Sequence, residues 1–219
     1  MAYYNKLKAI LSPIERKVFA RLNSPQKIQD YLDTLPINFE LKKETYMSPR
    51  RVIREKTAHC FEGALFAATA FAYHGHKPLL LDLVTIDRDE DHVVAIFKSP
   101  PTGGGLWGAI SKTNHPILRY RDPVYKTVRE LAMSYFHEYM MDDGAKSLRL
   151  FSKPFNLSRY SPSKWITAEE DLDWLVEALD DSRHFDVAPK NVLRNIRKAS
   201  AIEVKAINNT EWPAPKGKS

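Results

Sequence analysis

Three Ser-Pro pairs divide the first sixty residues into short helical patterns. Each pair comes directly before a stretch in which apolar residues recur every three or four positions. Serine is a good helix N-cap and proline is well tolerated at the first helical position, so each pair predicts a helix start. A longer apolar stretch then predicts a fourth helix that ends near a glycine cap. The predicted helices are 13–21, 25–35, one that begins at Pro49, and one from residue 57 or 58 to about Gly75.

After residue 75 the pattern changes to short runs that are rich in β-forming residues. Residues 78–86 and 93–97 are two such runs, and the charged segment DRDED between them is typical of a hairpin turn. Residues 106–110 predict a third strand and residues 117–120 a fourth. Because no helical crossover separates these runs, we expect an antiparallel sheet.

The last hundred residues predict mainly helices. Asp122-Pro123 predicts the start of a long helix, residues 148–157 are strand-like, and residues 168–179 and 191–207 predict two further helices. Helices, a meander of strands and then helices again indicate an α+β protein.

The domain organisation that we expect is one domain over 1–219. Its core covers 48–120, and the flanks at 1–47 and 121–219 are mainly helical. With 219 residues, of which 43% are hydrophobic, the chain can bury a substantial core.

Composition and charge narrow the classes of function. The longest apolar-rich run, 61–73, is too short to span a bilayer, so we expect no membrane association. The N-terminus has no pattern of a secretion signal, and a single cysteine cannot form an internal disulfide, so we expect a cytoplasmic protein. The basic residues of 50–56 and 190–198 are interrupted by apolar residues at helical spacing, which is typical of solvated helix faces. The net charge of +6 therefore does not predict nucleic-acid binding, and no pattern decides the oligomeric state.

Cys60, the only cysteine, lies in TAHCFEGALF at the start of the predicted apolar helix. Unpaired backbone N–H groups and the helix dipole stabilise an anion at such a position, and thiolates there have a lowered pKa. Free cysteine is also among the most buried residue types. This stretch alone therefore does not distinguish a nucleophilic Cys60 from a cysteine that is packed in the core.

A nucleophilic cysteine needs a base. His59 is adjacent to Cys60 and would point about 100° away on a helix, which makes it a poor partner. His92 opens a strand directly after the acidic turn, where a histidine can face a helix start, although spacing alone does not select it. His74 and His76 flank the far end of the helix and lack a third ligand at a set distance, so we expect no metal site and no cofactor.

Three segments carry these candidate residues in a fixed order. They are AHCFEGALFAATAFAYHGHKPLLLDL, DHVVAIF and GLWGAIS, all within about 48–120. Together they resemble the cysteine helix, the histidine strand and the tryptophan segment of the transglutaminase-like family in the papain-like cysteine peptidase superfamily. The resemblance implies a papain/transglutaminase-like core, with Cys60 at a helix N-terminus packed on an antiparallel sheet. It also implies that His92 is the base and that Trp107 lies beside the substrate.

The third member of the implied catalytic set departs from the family. The aspartate that follows the family's tryptophan by four residues falls at Ser111 here. A serine hydroxyl can accept the imidazole N–H, but it cannot stabilise an imidazolium by charge. Asn114 is the alternative, since asparagine serves this purpose in papain-like enzymes. Because Trp107, Ala109 and Ser111 share one face of a strand, we expect Ser111 within hydrogen-bond distance of His92 and Asn114 farther away.

The function that the resemblance implies is acyl transfer through a Cys60 thioester, with a peptide or other amide-containing molecule as substrate. His92 would take the thiol proton, a backbone N–H at the helix start would stabilise the oxyanion, and water or an amine would resolve the thioester. Glu62 is expected only as an acid of the first helical turn. A catalytically inactive binding module of the same fold is the alternative, because Ser111 stands where the family has an acid.

Overall fold

The computed structural model describes residues 2–214, which form ten α-helices and seven β-strands. The helices are α1 (Ala2–Ile10), α2 (Pro13–Arg21), α3 (Pro25–Asp33), α4 (Pro49–Glu55), α5 (Cys60–Tyr73), α6 (Val128–Met133), α7 (Pro162–Trp165), α8 (Asp173–Asp180), α9 (Lys190–Leu193) and α10 (Ala201–Ile207). The strands are β1 (Leu79–Val84), β2 (His92–Ser99), β3 (Leu106–Ile110), β4 (Arg121–Tyr125), β5 (Leu150–Ser152), β6 (Phe155–Asn156) and β7 (His184–Asp186). Within residues 2–214, no helix is long and apolar enough to cross a membrane.

All seven strands belong to one sheet, with the order β4-β3-β2-β1-β5-β7 and with β6 paired to β1. Every pair is antiparallel. The α+β class and the antiparallel sheet that the sequence predicts are therefore confirmed.

The Ser-Pro pairs begin helices for the reason that the sequence indicates. The hydroxyl oxygens of Ser12, Ser24 and Ser48 accept hydrogen bonds from the N–H groups three residues later, at 3.2, 3.3 and 3.3 Å. Each following proline occupies the first turn of α2, α3 or α4. These bonds satisfy N–H groups that a helix start leaves without a partner.

Helix α5 lies at the centre of the fold, between the sheet and helices α1–α4. It packs on β2 on one side, and twelve of its fourteen residues are buried. The side chains of Leu80, Ala95 and Ile110 cover this face of the sheet. The opposite face, which includes Leu81 and Val94, packs on a second cluster with Leu131 and Tyr135 from α6 and the turn after it. Because α5 is enclosed all round, its sequence is apolar on every face.

The long helix predicted from Asp122 is wrong. Residues 121–125 form edge strand β4, in which Tyr125 pairs with Trp107 and Arg121 with Ala109. An edge strand tolerates Pro123 because its outer N–H positions need no partner. The helix starts later and is short, because the Thr127 hydroxyl caps Val128–Met133 through a 3.0 Å bond from the Glu130 N–H.

The flank at 121–219, expected to be mainly helical, contains strands as well as helices. This region supplies β4, β5, β6 and β7 to the sheet, so the sheet extends well beyond 48–120. The strand predicted at 117–120 is replaced by bends and irregular chain, and the helix predicted over 191–207 is divided into α9 and α10. These strands are two to five residues long, too short for a period-two pattern to stand out in the sequence. Residues 215–219 lie outside the described part of the chain.

A close approach between Gly63 and Lys112 sets the position of α5 against the end of β3. A Cβ atom added to Gly63 would lie 2.5 Å from the Lys112 Cβ. The Lys112 side chain is buried, and its ammonium group donates to the Leu35 carbonyl. Glycine in the first turn of α5 therefore allows the chain just beyond β3 to cross the start of the helix.

We predict that Gly63→Ala lowers the free energy of unfolding by about 1–3 kcal/mol, because it places a methyl group against the Lys112 backbone and Cβ. Helix propensity alone predicts the opposite, a gain of about 0.8–1.0 kcal/mol. Urea denaturation measures the difference. In the double variant Gly63→Ala, Lys112→Gly the clash is absent. The decrease in the free energy of unfolding of this variant should therefore be smaller than the sum of the decreases in the two single variants. A stabilised Gly63→Ala protein, or strict additivity, would contradict the close approach.

Candidate active site

Cys60 is the first residue of α5 and lies, partly exposed, in a cleft of about 810 Å³. The segment before it is held in place by the chain at 36–38. Ala58 donates to the Pro36 carbonyl at 3.3 Å, and Asn38 donates to the Ala58 carbonyl at 3.1 Å. Among the described residues, no acceptor bonds the backbone N–H of Cys60 or of Phe61. The thiol therefore faces a cleft at a helix start that has free donors.

His59 contacts Cys60, which contradicts the expectation that it is a poor partner. Its Nδ1 lies 3.9 Å from the Cys60 Sγ, and its Nε2 donates to the Thr45 carbonyl at 2.7 Å. The expectation assumed helical geometry at both residues. His59 instead is the N-cap and has an extended backbone (φ −97°, ψ −170°), which turns its ring toward the thiol.

Glu62 is a fully buried carboxylate that organises this corner of the molecule. It accepts hydrogen bonds from the N–H groups of His59 at 3.0 Å and Met47 at 2.9 Å, and from the Thr45 hydroxyl at 3.1 Å. The Asn38 amide lies 3.1 Å away, and the His59 Nε2 is 3.4 Å away. Burial opposes ionisation of Glu62, but His59 and these donors hold the pKa of its carboxyl below the usual value. Its position two residues after Cys60 was visible in the sequence, but its contacts were not.

His92 and Ser111 meet as expected from the strand pattern. The His92 Nε2 lies 2.7 Å from the Ser111 Oγ, and the Ser111 hydroxyl donates to the Leu118 carbonyl. Because that hydroxyl proton is engaged, Ser111 must accept the N–H of His92 Nε2. The His92 Nδ1 is then the nitrogen left for Cys60.

Ser111 is held firmly, and Asn114 is engaged elsewhere. The buried Gln29 side chain of α3 bonds both backbone groups of Ser111, at 2.8 and 3.0 Å. Both polar atoms of the Asn114 amide bond the backbone of Trp212, at 3.0 and 2.8 Å. The contacts thus distinguish the two candidates: Ser111 bonds His92, and Asn114 fastens the C-terminal segment to the rim of the cleft.

Trp107 does not line the cleft that contains Cys60. It faces a separate cavity together with Pro25, His76 and Pro101, and the Lys98 ammonium lies 4.8 Å from the centre of its ring. Ser111 directly follows β3, and four residues of extended chain separate it from Trp107 by about 13 Å. A role for Trp107 in binding substrate beside Cys60 is therefore not supported.

The two histidines change the ionisation of Cys60. Burial by itself raises the pKa of the thiol, but hydrogen bonds and positive charge from His59 and His92 lower it to about 5. Burial likewise opposes protonation of His59, but the Cys60 thiolate and the Glu62 carboxylate raise the pKa of its ring well above the usual value. At neutral pH the pair is therefore a thiolate beside an imidazolium.

A scan against models of protein families finds none that matches the sequence, and a search among curated proteins finds no significant match. The function inferred for this chain consequently depends on the geometry of the cleft.

We predict that iodoacetamide alkylates Cys60 of the folded protein with a rate that rises through about pH 5 and is level by about pH 6.5, because a lowered pKa means that the thiolate is already formed there. Mass spectrometry of samples quenched at each pH measures the profile. A rate that keeps rising to about pH 8.5, as for an ordinary thiol, would contradict the proposed ion pair.

We also predict that His59→Gln slows alkylation at pH 6 by about tenfold, since the thiol is mostly ionised at pH 6 and a rise of about two units in its pKa lowers the thiolate fraction about tenfold. Glutamine can still donate to Thr45 but carries no positive charge. His76→Gln, at the far end of α5, is the control and should leave the profile unchanged. Equal rates in the two variants would mean that His59 does not stabilise the thiolate.

Proposed function

We propose that the protein is a cysteine-dependent acyl-transfer enzyme that attacks an amide or peptide carbonyl with Cys60. The observation that carries the proposal is the position of the Cys60 thiol at a helix start in an open cleft, 3.9 Å from the His59 Nδ1, where His59 and His92 lower its pKa to about 5. An inert, packed cysteine has no need of either histidine, and burial alone would raise its pKa. Perturbed groups that share a cleft are typical of catalytic sites. The likeness of the Cys60, His92 and Trp107 segments to the transglutaminase-like family supports the same class of reaction.

The reaction proceeds through a thioester. The Cys60 thiolate attacks the carbonyl carbon, and the tetrahedral oxyanion is stabilised by the unpartnered N–H of Cys60 at the start of α5. The C–N bond then breaks, and the leaving amine takes a proton from the His92 imidazolium. Water, deprotonated by His92, attacks the thioester carbonyl and releases the carboxylic acid and the thiol. An amine in place of water would give transfer instead of hydrolysis.

The two histidines have different parts in this reaction. His92 bonds the Ser111 hydroxyl through Nε2, which leaves Nδ1 to exchange a proton with the leaving amine or with water. His59 lies beside the buried Glu62 and therefore keeps its positive charge, which stabilises the thiolate. The carboxylate that the family's third position would supply is thus replaced by Glu62, which acts through His59.

The test is acylation by p-nitrophenyl acetate at pH 6–7. We expect an acetyl group on Cys60, localised by peptide mass spectrometry, and more than one equivalent of p-nitrophenolate released per protein molecule. Cys60→Ala should abolish both signals. Ser111→Ala should slow release by about tenfold, because it leaves the buried Nε2–H of His92 without its acceptor. If iodoacetamide labels Cys60 but no acetyl adduct forms, the chain is a noncatalytic binding module and the proposal is wrong.

A further inference from the structure

The cleft around Cys60 is acidic although the protein as a whole is basic. Among residues 2–214, nine carboxylates line the cleft, against one lysine and no arginine, whereas the whole chain has a net charge of +6. The one lysine, Lys112, already donates its ammonium to the Leu35 carbonyl. Six of the carboxylates come from β1, the turn after it and the end of α8. We call these six the acidic wall: Asp82, Asp87, Asp89, Glu90, Asp91 and Asp180.

Cations from the protein neutralise little of the acidic wall. His184 pairs with Asp82 at 3.0 Å. Within residues 2–214, Asp87, Glu90 and Asp180 have no ion-pair partner. Burial raises the pKa of Asp91 and of Asp180, and the neighbouring carboxylates, Asp82 among them, raise both further. The carboxylates thus repel one another, and a cation bound among them would remove that repulsion.

Tyr139 gives an independent sign that the cleft takes a ligand. Its side chain is only 3% exposed, it lines the cleft, and its hydroxyl has no hydrogen-bond partner among the described residues. Burial raises the pKa of this hydroxyl, and the charges of Cys60, Asp89 and Asp91 raise it further. The hydroxyl therefore lies near both the thiol and the acidic wall, in the same cleft. A buried hydroxyl without a partner is costly unless a bound molecule supplies one.

We propose that the cleft binds substrates with a cationic, arginine- or lysine-like side chain, which the acidic wall holds beside the amide that Cys60 attacks, while the Tyr139 hydroxyl bonds a polar group of the substrate. This inference rests on the proposed acyl-transfer function and specifies its substrate class. Within residues 2–214, no three carboxylate, imidazole or thiol groups converge as a metal site requires. The spread of the acidic wall suits an extended organic cation better than a single ion.

The cation belongs to the acyl donor and not to an amine that resolves the thioester. An amine must be deprotonated to attack a carbonyl, because the protonated form has no free electron pair. A wall of carboxylates stabilises the protonated form and raises the pKa of an amine held there. The same wall therefore favours recognition of a charged side chain and disfavours its use as a nucleophile.

The experiment compares three dipeptidyl chloromethyl ketones that differ only in the side chain next to the reactive carbon, which is arginine, norleucine or glutamate. Each alkylates a thiolate directly, so no turnover is needed. We expect the arginine reagent to label Cys60 about tenfold faster than the norleucine reagent and the glutamate reagent to be slowest. The preference should shrink as salt is raised from about 0.05 M to about 0.5 M, because salt screens charges that are several ångströms apart.

Variants then locate the source of the preference. Asp89→Asn and Asp180→Asn should each lower the ratio of arginine to norleucine rates about two- to fivefold, as expected for the loss of one nearby charge in a partly aqueous cleft. Glu177→Gln is the matched control: it removes one charge from an exposed position of α8 that does not line the cleft, and it should keep the ratio. Tyr139→Phe should slow all three peptide reagents relative to iodoacetamide.

Iodoacetamide, which is small and neutral, separates the two proposals. If it labels Cys60 rapidly while the arginine and norleucine reagents react equally, the cationic substrate class is wrong and the acyl-transfer proposal stands. A ratio that falls equally in Glu177→Gln and Asp180→Asn would also overturn the acidic wall as its source. If iodoacetamide itself fails to label Cys60, the proposed function is wrong and the inference falls with it.

Discussion

The buried carboxylate of Glu62 is the group on which the arrangement around Cys60 depends. It joins the chain at 38–47 to the first turn of α5, and it also fixes the ring of His59. Removing one partner from a buried ion pair costs about 3–5 kcal/mol, because the remaining charge has lost its compensation. A helix start is thereby locked to a loop, and the loop forms one side of the cleft. The free N–H groups and the thiol at that helix start are held in place by the same contacts.

A second constraint comes from the end of the sheet. β3 runs to Ile110, and the chain then crosses the first turn of α5 at Gly63, where only a hydrogen atom fits. This crossing brings Ser111 to His92, and Gln29 fixes the Ser111 backbone from behind. Preorganised groups of this kind need little rearrangement when a substrate binds. The reactive groups therefore come from the start of a helix, its cap residue and the ends of two strands.

The distribution of charge separates the cleft from the rest of the surface. His59 and His92 lie beside the Cys60 thiol, and the acidic wall lines another part of the same cleft together with Tyr139. The imidazolium of His59 stabilises the thiolate, whereas the acidic wall stabilises a cationic group of a bound molecule. Net charge conceals this separation, because within residues 2–214 only one of the lysine and arginine residues, Lys112, lines the cleft.

Local chemistry was sufficient for the features that a few neighbouring residues determine. The Ser-Pro caps, the apolar helix that begins at Cys60 and the hairpin at DRDED could be predicted, because each depends on backbone propensity or on a single hydrophobic period. The pairing of Ser111 with His92 could also be predicted, since it needs only two adjacent strands and the alternation of their side chains.

What the sequence could not decide depends on long-range contacts. Edge pairing with β3 makes Arg121–Tyr125 a strand, and the extended backbone of the His59 cap turns its ring toward the thiol. The acidic wall is likewise visible only when β1, its turn and α8 meet, because charges distant in the chain share a cleft only after folding.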